Sequence, residues 1–386
     1  MHQGRGRPLA WYFLRLGAIG FGGPVALVAR MREDLVERRK WVSDEEFRDG
    51  VALAQVAPGP LAAQLAMYLG WLADGARGAT VVGAVFVLPS LLIVLALAAA
   101  YRSAGGLTLL ATLFYGVGAA VIAVLARAGI RLARSTVRQD RLLWLVVGVN
   151  ALGTVLLQRE SVPLVLASGL LVMLARTVPR DPEASPSRAA SGLVVAPLAL
   201  LAPTAGGFAV GSLPALFVFF ATAGLVVFGS GLAIVPFLHG GVVVERHWLT
   251  ERQFLDAVAV SLLTPGPVVI TVAFIGYLVA GTAGGLVAAA GVFLPAYVVV
   301  LVVAPRFRRI QQDGRAQTFA AGVTAAAVGA LLGAVVVMAT RTLVDLPTAA
   351  IAVASLLWLL AQPKVPEPVV LATAALAGGA LRGLSR

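Results

Sequence analysis

The chain contains no cysteine, which excludes disulfides, thiol nucleophiles and cysteine-ligated metal centres. Its three histidines are scattered, so no metal-ligand cluster is written in the sequence and no metal or cofactor is expected. Charge is scarce too: Asp, Glu, Lys and Arg make up 12% of the 386 residues, and only 18 residues are acidic. Also missing is the polar–apolar alternation that lipid-facing barrel strands require. What fills the chain instead is 59% hydrophobic residues and a mean hydropathy of +0.92. A soluble domain of this size cannot hide so much apolar surface, so an all-α polytopic membrane protein is expected, with the lipid bilayer as its first partner.

The formal charge of +12 rests largely on arginines in the connections. In a membrane protein this is the ordinary Lys/Arg excess of cytoplasmic loops, and it gives no reason to invoke nucleic acid. Forty-two glycines and abundant alanine suit close helix packing in lipid. Met1 to Pro8 is short, basic and without a small-residue cleavage signature, so Leu9 onward reads as a retained segment.

Apolar segments fall near 9–30, 50–73, 79–101, 107–126, 141–157 and 162–175. The polar, proline-bearing stretch Arg176 to Ser191 reads as a linker, and a run at 193–205 is too short for an ordinary span. Further segments follow at 213–238, 256–280, 284–304, 317–340, 345–361 and 367–384. This second set copies the first at polar and special residues. Phe21-Gly22 matches Phe228-Gly229, Glu37-Arg38 matches Glu245-Arg246, Trp41 matches Trp248, and Asp49 matches Asp256. Pro58-Gly59-Pro60 matches Pro265-Gly266-Pro267, Gly70 matches Gly276, and Leu88-Pro89 matches Leu294-Pro295. The chain is an internal duplication, with an N-terminal repeat over 1–176, a linker over 177–212 and a C-terminal repeat over 213–386. About 10–13 membrane segments are expected.

Loop charge orients the copies. After the third segment the first half has only Arg102, whereas the second has Arg306, Arg308, Arg309 and Arg315. After the fourth the bias reverses, with Arg127, Arg131, Arg134, Arg138 and Arg141 against Arg341. Because Lys and Arg mark the cytoplasmic side, the halves are expected to be inverted-topology repeats, as in secondary transporters whose sites lie where the repeats meet. The connection before Gly50 is also basic, and three full spans would put it opposite the basic loop at 127–141. A re-entrant hairpin with Pro58-Gly59-Pro60 at its tip removes that contradiction; a kinked span is the alternative.

The two Pro-Gly-Pro motifs carry the chemistry. Pro60 and Pro267 suit the first helical position, and a helix begun there turns free N–H groups and its positive dipole end toward the protein centre. That arrangement favours an anion. Gly59 and Gly266 allow close backbone approach, and Gln64 is placed to donate its amide. With Gln55, Pro58, Thr264 and Pro265 they form the candidate substrate-binding set, suited to a tetrahedral oxyanion. The plainer reading, a bend in a packed helix, is disfavoured by recurrence in both halves. Arg15, inside the first apolar segment, is a candidate for attracting the anion, with a snorkelling residue as the alternative. Glu37-Arg38 and Glu245-Arg246 are candidate gating pairs, though each reads more simply as a solvated ion pair. Asp49 and Asp256 are candidates for proton coupling or for stabilising a helix start. Capping boxes at Ser43–Glu46 and Thr250–Gln253 predict new helices there. No paired membrane carboxylates, zinc motif or nucleophile–base set is present, so no enzyme is expected.

Phe-Gly-Gly-Pro at 21–24, Leu-Val-Glu-Arg-Arg-Lys-Trp at 35–41, the run 58–71 and Phe-Val-Leu-Pro-Ser at 86–90 resemble the chromate ion transporter family in its long, two-domain form. So do Val-Phe-Gly-Ser-Gly at 227–231 and Thr-Pro-Gly-Pro at 264–267. The resemblance implies a secondary transporter of the inner (plasma) membrane that exports chromate, driven by the proton motive force, and confers chromate resistance. Sulfate is a competing tetrahedral dianion. The alternatives are an oxyanion channel and a transporter of sulfate or another anion on the same fold. A homodimer is compatible with the sequence.

Overall fold

The computed structural model describes residues 6–21, 23–103, 108–176, 212–226, 231–307, 314–362 and 365–384. Among them there is no strand. The first half runs α1 (Gly6–Ile19), α2 (Gly23–Arg32), a π-turn (Glu33–Arg38), α3 (Asp44–Val56), α4 (Leu61–Ser103), α5 (Thr108–Val137), α6 (Arg141–Leu157) and α7 (Val162–Ala175). The second repeats that order as α8 (Leu213–Val226), α9 (Val235–His239), a π-turn (Gly240–Glu245), α10 (Glu251–Leu263), α11 (Thr271–Val303), α12 (Gly314–Thr342), α13 (Leu346–Ala361) and α14 (Glu367–Leu384). The linker at 177–191, the run at 193–205, Gly22 and residues 227–230 lie outside the described residues.

Local chemistry sets the matching starts. The Glu46 N–H donates to Ser43 Oγ at 3.1 Å while the Ser43 N–H donates to Glu46 Oε2 at 2.9 Å. In the second copy the Gln253 N–H reaches Thr250 Oγ1 at 3.3 Å and the Thr250 N–H reaches Gln253 Oε1 at 2.9 Å. Both predicted capping boxes are therefore formed. Asp140 and Asp345 cap α6 and α13 in the same way, accepting N–H groups from Leu142 at 3.0 Å and from Thr348 at 2.9 Å.

Two apolar runs divide where one segment was expected. Run 9–30 is α1 and α2, separated at Gly20 and Phe21, and run 213–238 is α8 and α9 with a 3-10 turn at Gly231–Ile234 between them. Gly23 sits at φ +73° and Pro24 brings no N–H, so no continuous helix passes this point.

Helix α4 is itself two arms. Asp74 and Gly75 leave helical geometry, and Gly75 has φ +54°. In a straight helix Gly70 and Gly78 would lie about 12 Å apart; here a Cβ at Gly70 would sit 2.4 Å from the Gly78 carbonyl oxygen. The arms fold back on each other, and only hydrogen fits between them. The break at Ala280 and Gly281 repeats this in α11, where Gly276 meets Gly284.

The halves interlock. The second arms of α4 and α11 cross, with Thr80 Oγ1 2.7 Å from Tyr297 Oη. Tyr297 stands two residues past Pro295, as Leu91 stands two past Pro89; Leu286 is the counterpart of Thr80. Leu91 and Leu286 line the same groove as Thr80 and Tyr297, so the two equivalent arms cross antiparallel. Farther out the halves exchange partners: α6 and α7 pack on α12, while α13 and α14 pack on α5. Buried residues from both halves form a main apolar core and a smaller second one where α5, α6 and α7 meet α12. Leu61–Ser103, Tyr115–Val137, Val268–Arg306 and Gln317–Thr342 are long and apolar enough to cross a membrane, and shorter apolar helices accompany them. The protein is a multi-pass membrane protein.

Candidate functional site

The site is built at the two bends that hold the Pro-Gly-Pro motifs. Helix α3 ends at Val56 and α4 begins at Leu61. The two run back to back, since a Cβ at Gly50 would lie 2.6 Å from Tyr68 Cδ1 and 2.8 Å from Leu65 Cδ1. Residues 57–70 are all buried. Pro60 is not the first helical residue, as its spacing suggested, but the N-cap: its carbonyl accepts the Gln64 N–H at 2.9 Å. The N–H groups of Leu61, Ala62 and Ala63 therefore have no acceptor within the helix. In the second bend Pro267 has ψ 125° and precedes a 3-10 turn, Val268–Ile270, before α11 begins. The tighter turn takes up one of its free donors, with the Ile270 N–H donating to Pro267 O at 3.0 Å.

Gln64 is fully buried, and its Nε2 donates to the Pro58 carbonyl at 2.6 Å, clamping the bend closed. Its donor is thus engaged inside the protein, and the atom left without a hydrogen-bond partner is its acceptor, Oε1. Gly59 has φ +137° and lies against Gln64 and Ala296 of the opposite half. Gly266 has φ +101°, and its N–H donates to Gly20 O at 2.8 Å. A Cβ there would come 2.7 Å from Ser90 Oγ. Ser90 and Ala296 each follow the in-helix proline of a second arm, so each bend seats on the middle of the other half's long arm. Pro24 and Val269 both approach Gly231, which brings the start of α2 and the 3-10 turn at Gly231 to the second bend. Ser90 and Gly20 were not assigned roles from sequence; the signal for Ser90 was the Leu-Pro before it, which recurs in the second copy, and Gly20, matched by Val227, had none.

Thr264 is buried at the second bend, with its hydroxyl donating to Val260 O at 2.5 Å. Gln55 and Arg15 are exposed and stand outside this cluster. The groove at the arm crossing is apolar apart from Thr80 and Tyr297 and offers a dianion no compensating charge.

The Glu-Arg pairs differ from expectation. Arg38 bonds Glu33 at 2.6 Å and approaches Asp34 at 3.7 Å, and does not pair with Glu37. The backbone matches Arg39, not Arg38, with Arg246, because these two residues close the two π-turns through N–H bonds to Asp34 O and Gly241 O. Each then stacks on aromatic faces: Arg39 lies 4.7 Å from the Trp41 ring centre, and Arg246 lies 4.6 Å from Phe219 and 5.4 Å from Trp248. Glu245 contacts Arg246 at 3.3 Å and also pairs with Arg159 of the first half. Arg32–Asp44 at 2.8 Å and His239–Glu251 at 2.9 Å are equivalent ties from the second helix to the third in each half. In the turn between α6 and α7, burial pushes the Glu160 carboxyl up to about 8. Asp49 is half-buried, whereas Asp256 is 2% exposed and accepts the Tyr101 hydroxyl at 2.7 Å.

Comparison with known proteins bears on the whole chain. The family described as Chromate transporter matches residues 7–174 and 214–379. A chromate transport protein of Cupriavidus metallidurans is 51% identical over 383 residues, covering 96% of this chain and 92% of that protein. A probable chromate transport protein of Synechococcus elongatus is 50% identical, covering 96% and 94%. A chromate transport protein of Pseudomonas aeruginosa is 33% identical, covering 95% and 90%. No solved structure matches.

Proposed function

Because the chain belongs to the chromate transporter family, we propose that it is a secondary transporter that carries chromate out of the cytoplasm across the inner (plasma) membrane. The observation that carries this reading is the pair of buried Pro-Gly-Pro bends, each seated on the opposite half's long arm with helix N-terminal donors beside it. Such donors suit a tetrahedral dianion, and sulfate, of like charge and shape, is expected to compete. Pro58, Gly59, Pro60, Gln64 and Thr264 to Pro267 are the proposed binding set, with Gln55 outside it, and Asp49 and Asp256 are the candidate coupling carboxylates. Arg15, Glu37, Arg38, Glu245 and Arg246 are the proposed charges of the access route.

The antiparallel crossing supports inverted repeats. A two-fold axis relating two antiparallel helices is perpendicular to both; when those helices cross the bilayer, the axis lies in the membrane plane. The second arm of α4, 76–103, is about 42 Å long and exceeds the hydrocarbon core, whereas α3 and the first arm are each about 20 Å and reach only its middle. That supports a re-entrant hairpin with its tip at the bend. The native chain has no cysteine, so single cysteines report without background. Cysteines replacing Arg38 and Asp74 are expected to label from the cytoplasmic face, and those replacing Glu245 and Ala280 from the outer face. Labelling of Arg38→Cys and Asp74→Cys from opposite faces sinks the hairpin.

Export agrees with the membrane field: moving a dianion outward from a negative interior releases about 4.6 kcal/mol per 100 mV. Purified protein in vesicles is expected to accumulate chromate against its gradient when a potential or a pH gradient is imposed. Flux that never exceeds equilibration indicates the channel alternative, and no chromate flux at all removes the chromate assignment.

A further inference from the structure

Resting on the transporter reading, we propose that the proton-coupling site is asymmetric: it is the Asp256 carboxylate held by Tyr101, a cross-half pair whose tyrosine is replaced by phenylalanine at the matching place of the other half. Asp256 lies on α10, whose far end leads into Thr264-Pro265-Gly266-Pro267, and Tyr101 lies at the end of the second arm of α4. The contact therefore ties the limb of one bend to the arm on which that bend seats. The carboxylate is 2% exposed and accepts the phenol at 2.7 Å; among the ion pairs of the described residues, none includes it. Phe274 packs edge-on against Tyr101, with ring centres 5.4 Å apart. A buried carboxylate with one neutral donor and no cation within ion-pair distance is stable only while it can exchange its charge for a proton.

Duplication makes the asymmetry legible. Asp49 matches Asp256, but the residue that matches Tyr101, twelve past the in-helix proline, is Phe307. Phe307 has no hydroxyl to hold a carboxylate, and Asp49 is only half-buried. The groups that act on Asp256 are Tyr101 from α4 and Arg252 from its own helix. On the other helices packed against α10, Arg127 acts on Glu367 and Arg341 approaches Glu251 at 3.6 Å, so these charges are directed elsewhere. Protonation removes the carboxylate's hold on the phenol as a strong acceptor, which frees the limb carrying the second bend from the arm of the first half. One proton taken up or released thereby changes the seat of the anion.

The test uses full-length protein in lipid vesicles, with chromate flux measured under a pH gradient at clamped zero potential and under a potential at zero pH gradient. For Asp256→Asn the ratio of pH-driven to potential-driven flux is expected to fall at least about tenfold, because the amide cannot titrate. Tyr101→Phe keeps the ring and removes the hydroxyl that favours the charged carboxylate, so the midpoint of the flux–pH profile is expected to move up by about one unit. An unchanged ratio in Asp256→Asn overturns the inference. If that variant does not fold, an unmoved midpoint in Tyr101→Phe does the same, and so does loss of the pH response in Asp49→Asn alone. Wild-type vesicles that move no chromate under either gradient sink the transport reading and this inference together; an intact wild-type response that persists in Asp256→Asn sinks this inference alone.

Discussion

Gly266→Val is expected to cut chromate flux about 30-fold or more while the protein still inserts and purifies. Gly266 has φ +101°, a region closed to β-branched side chains, and the cost of forcing one there is about 1–3 kcal/mol. A Cβ would also press on Ser90, 2.7 Å from its Oγ and 2.8 Å from its Cβ, and overpacking of a buried contact costs about 1–3 kcal/mol more. Both effects fall on the bend, whose N–H holds Gly20 O, so the bend is displaced from its seat before the bundle unfolds. At about 1.4 kcal/mol per factor of ten, the flux loss is about 30-fold or greater. Adding Ser90→Gly relieves the contact and not the backbone strain, so partial recovery is expected. Flux measured in vesicles beside helical content by circular dichroism separates the outcomes; full flux with valine at 266 would falsify the claim that the bend forms the site.

Gln64→Glu is expected to be the second severe change, though its volume hardly differs from that of the native amide. The Gln64 Nε2 donates to the buried Pro58 carbonyl at 2.6 Å. A carboxylate has no hydrogen to give, so two acceptors would face each other at a fully buried position. The same negative charge would stand beside the free N–H groups at the start of α4 and compete for them with the anion. Chromate binding is expected to weaken at least about 100-fold, for a loss of roughly 3 kcal/mol. Gln64→Ala is milder: it leaves Pro58 O unpaired and is expected to weaken binding about tenfold. Half-saturation of transport measures both. An unchanged half-saturation in either variant removes Gln64 from the site.

How much of this was legible in the sequence follows the range of each interaction. The capping boxes at Ser43 and Thr250 were readable because donor and acceptor stand three residues apart. The interruptions at Pro58 and Pro265 were readable because proline fails in any helix whatever surrounds it. The break at Asp74-Gly75 was readable as the gap between the segments 50–73 and 79–101, whereas the close approach of Gly70 to Gly78 that shapes the fold-back needs both arms in place. The match of Glu37-Arg38 with Glu245-Arg246 followed an identical dipeptide. It lies one residue out of step with the backbone, where the π-turns and the neighbouring tryptophans fix Arg39 on Arg246. Gln64 was read as a donor to the anion, because the partner its amide has in the folded chain, Pro58 O, appears only once the bend is folded. Partner choice among helices was illegible for a general reason: an apolar face records that it is covered and not by what.

That last point bears on how the protein is made. Helix α5 is made well before the helices that cover it, α13 and α14, and α6 and α7 likewise wait for α12. Neither repeat reaches its final packing by itself, and the contacts that close the molecule join residues far apart in the chain. During insertion the first half must stand in the bilayer with the flank of α5 touching lipid, an environment that accepts an apolar surface without penalty. A water-soluble chain with the same exchange would be exposed to aggregation for the whole of that interval, so the bilayer serves this protein as a holding solvent as well as its place of work.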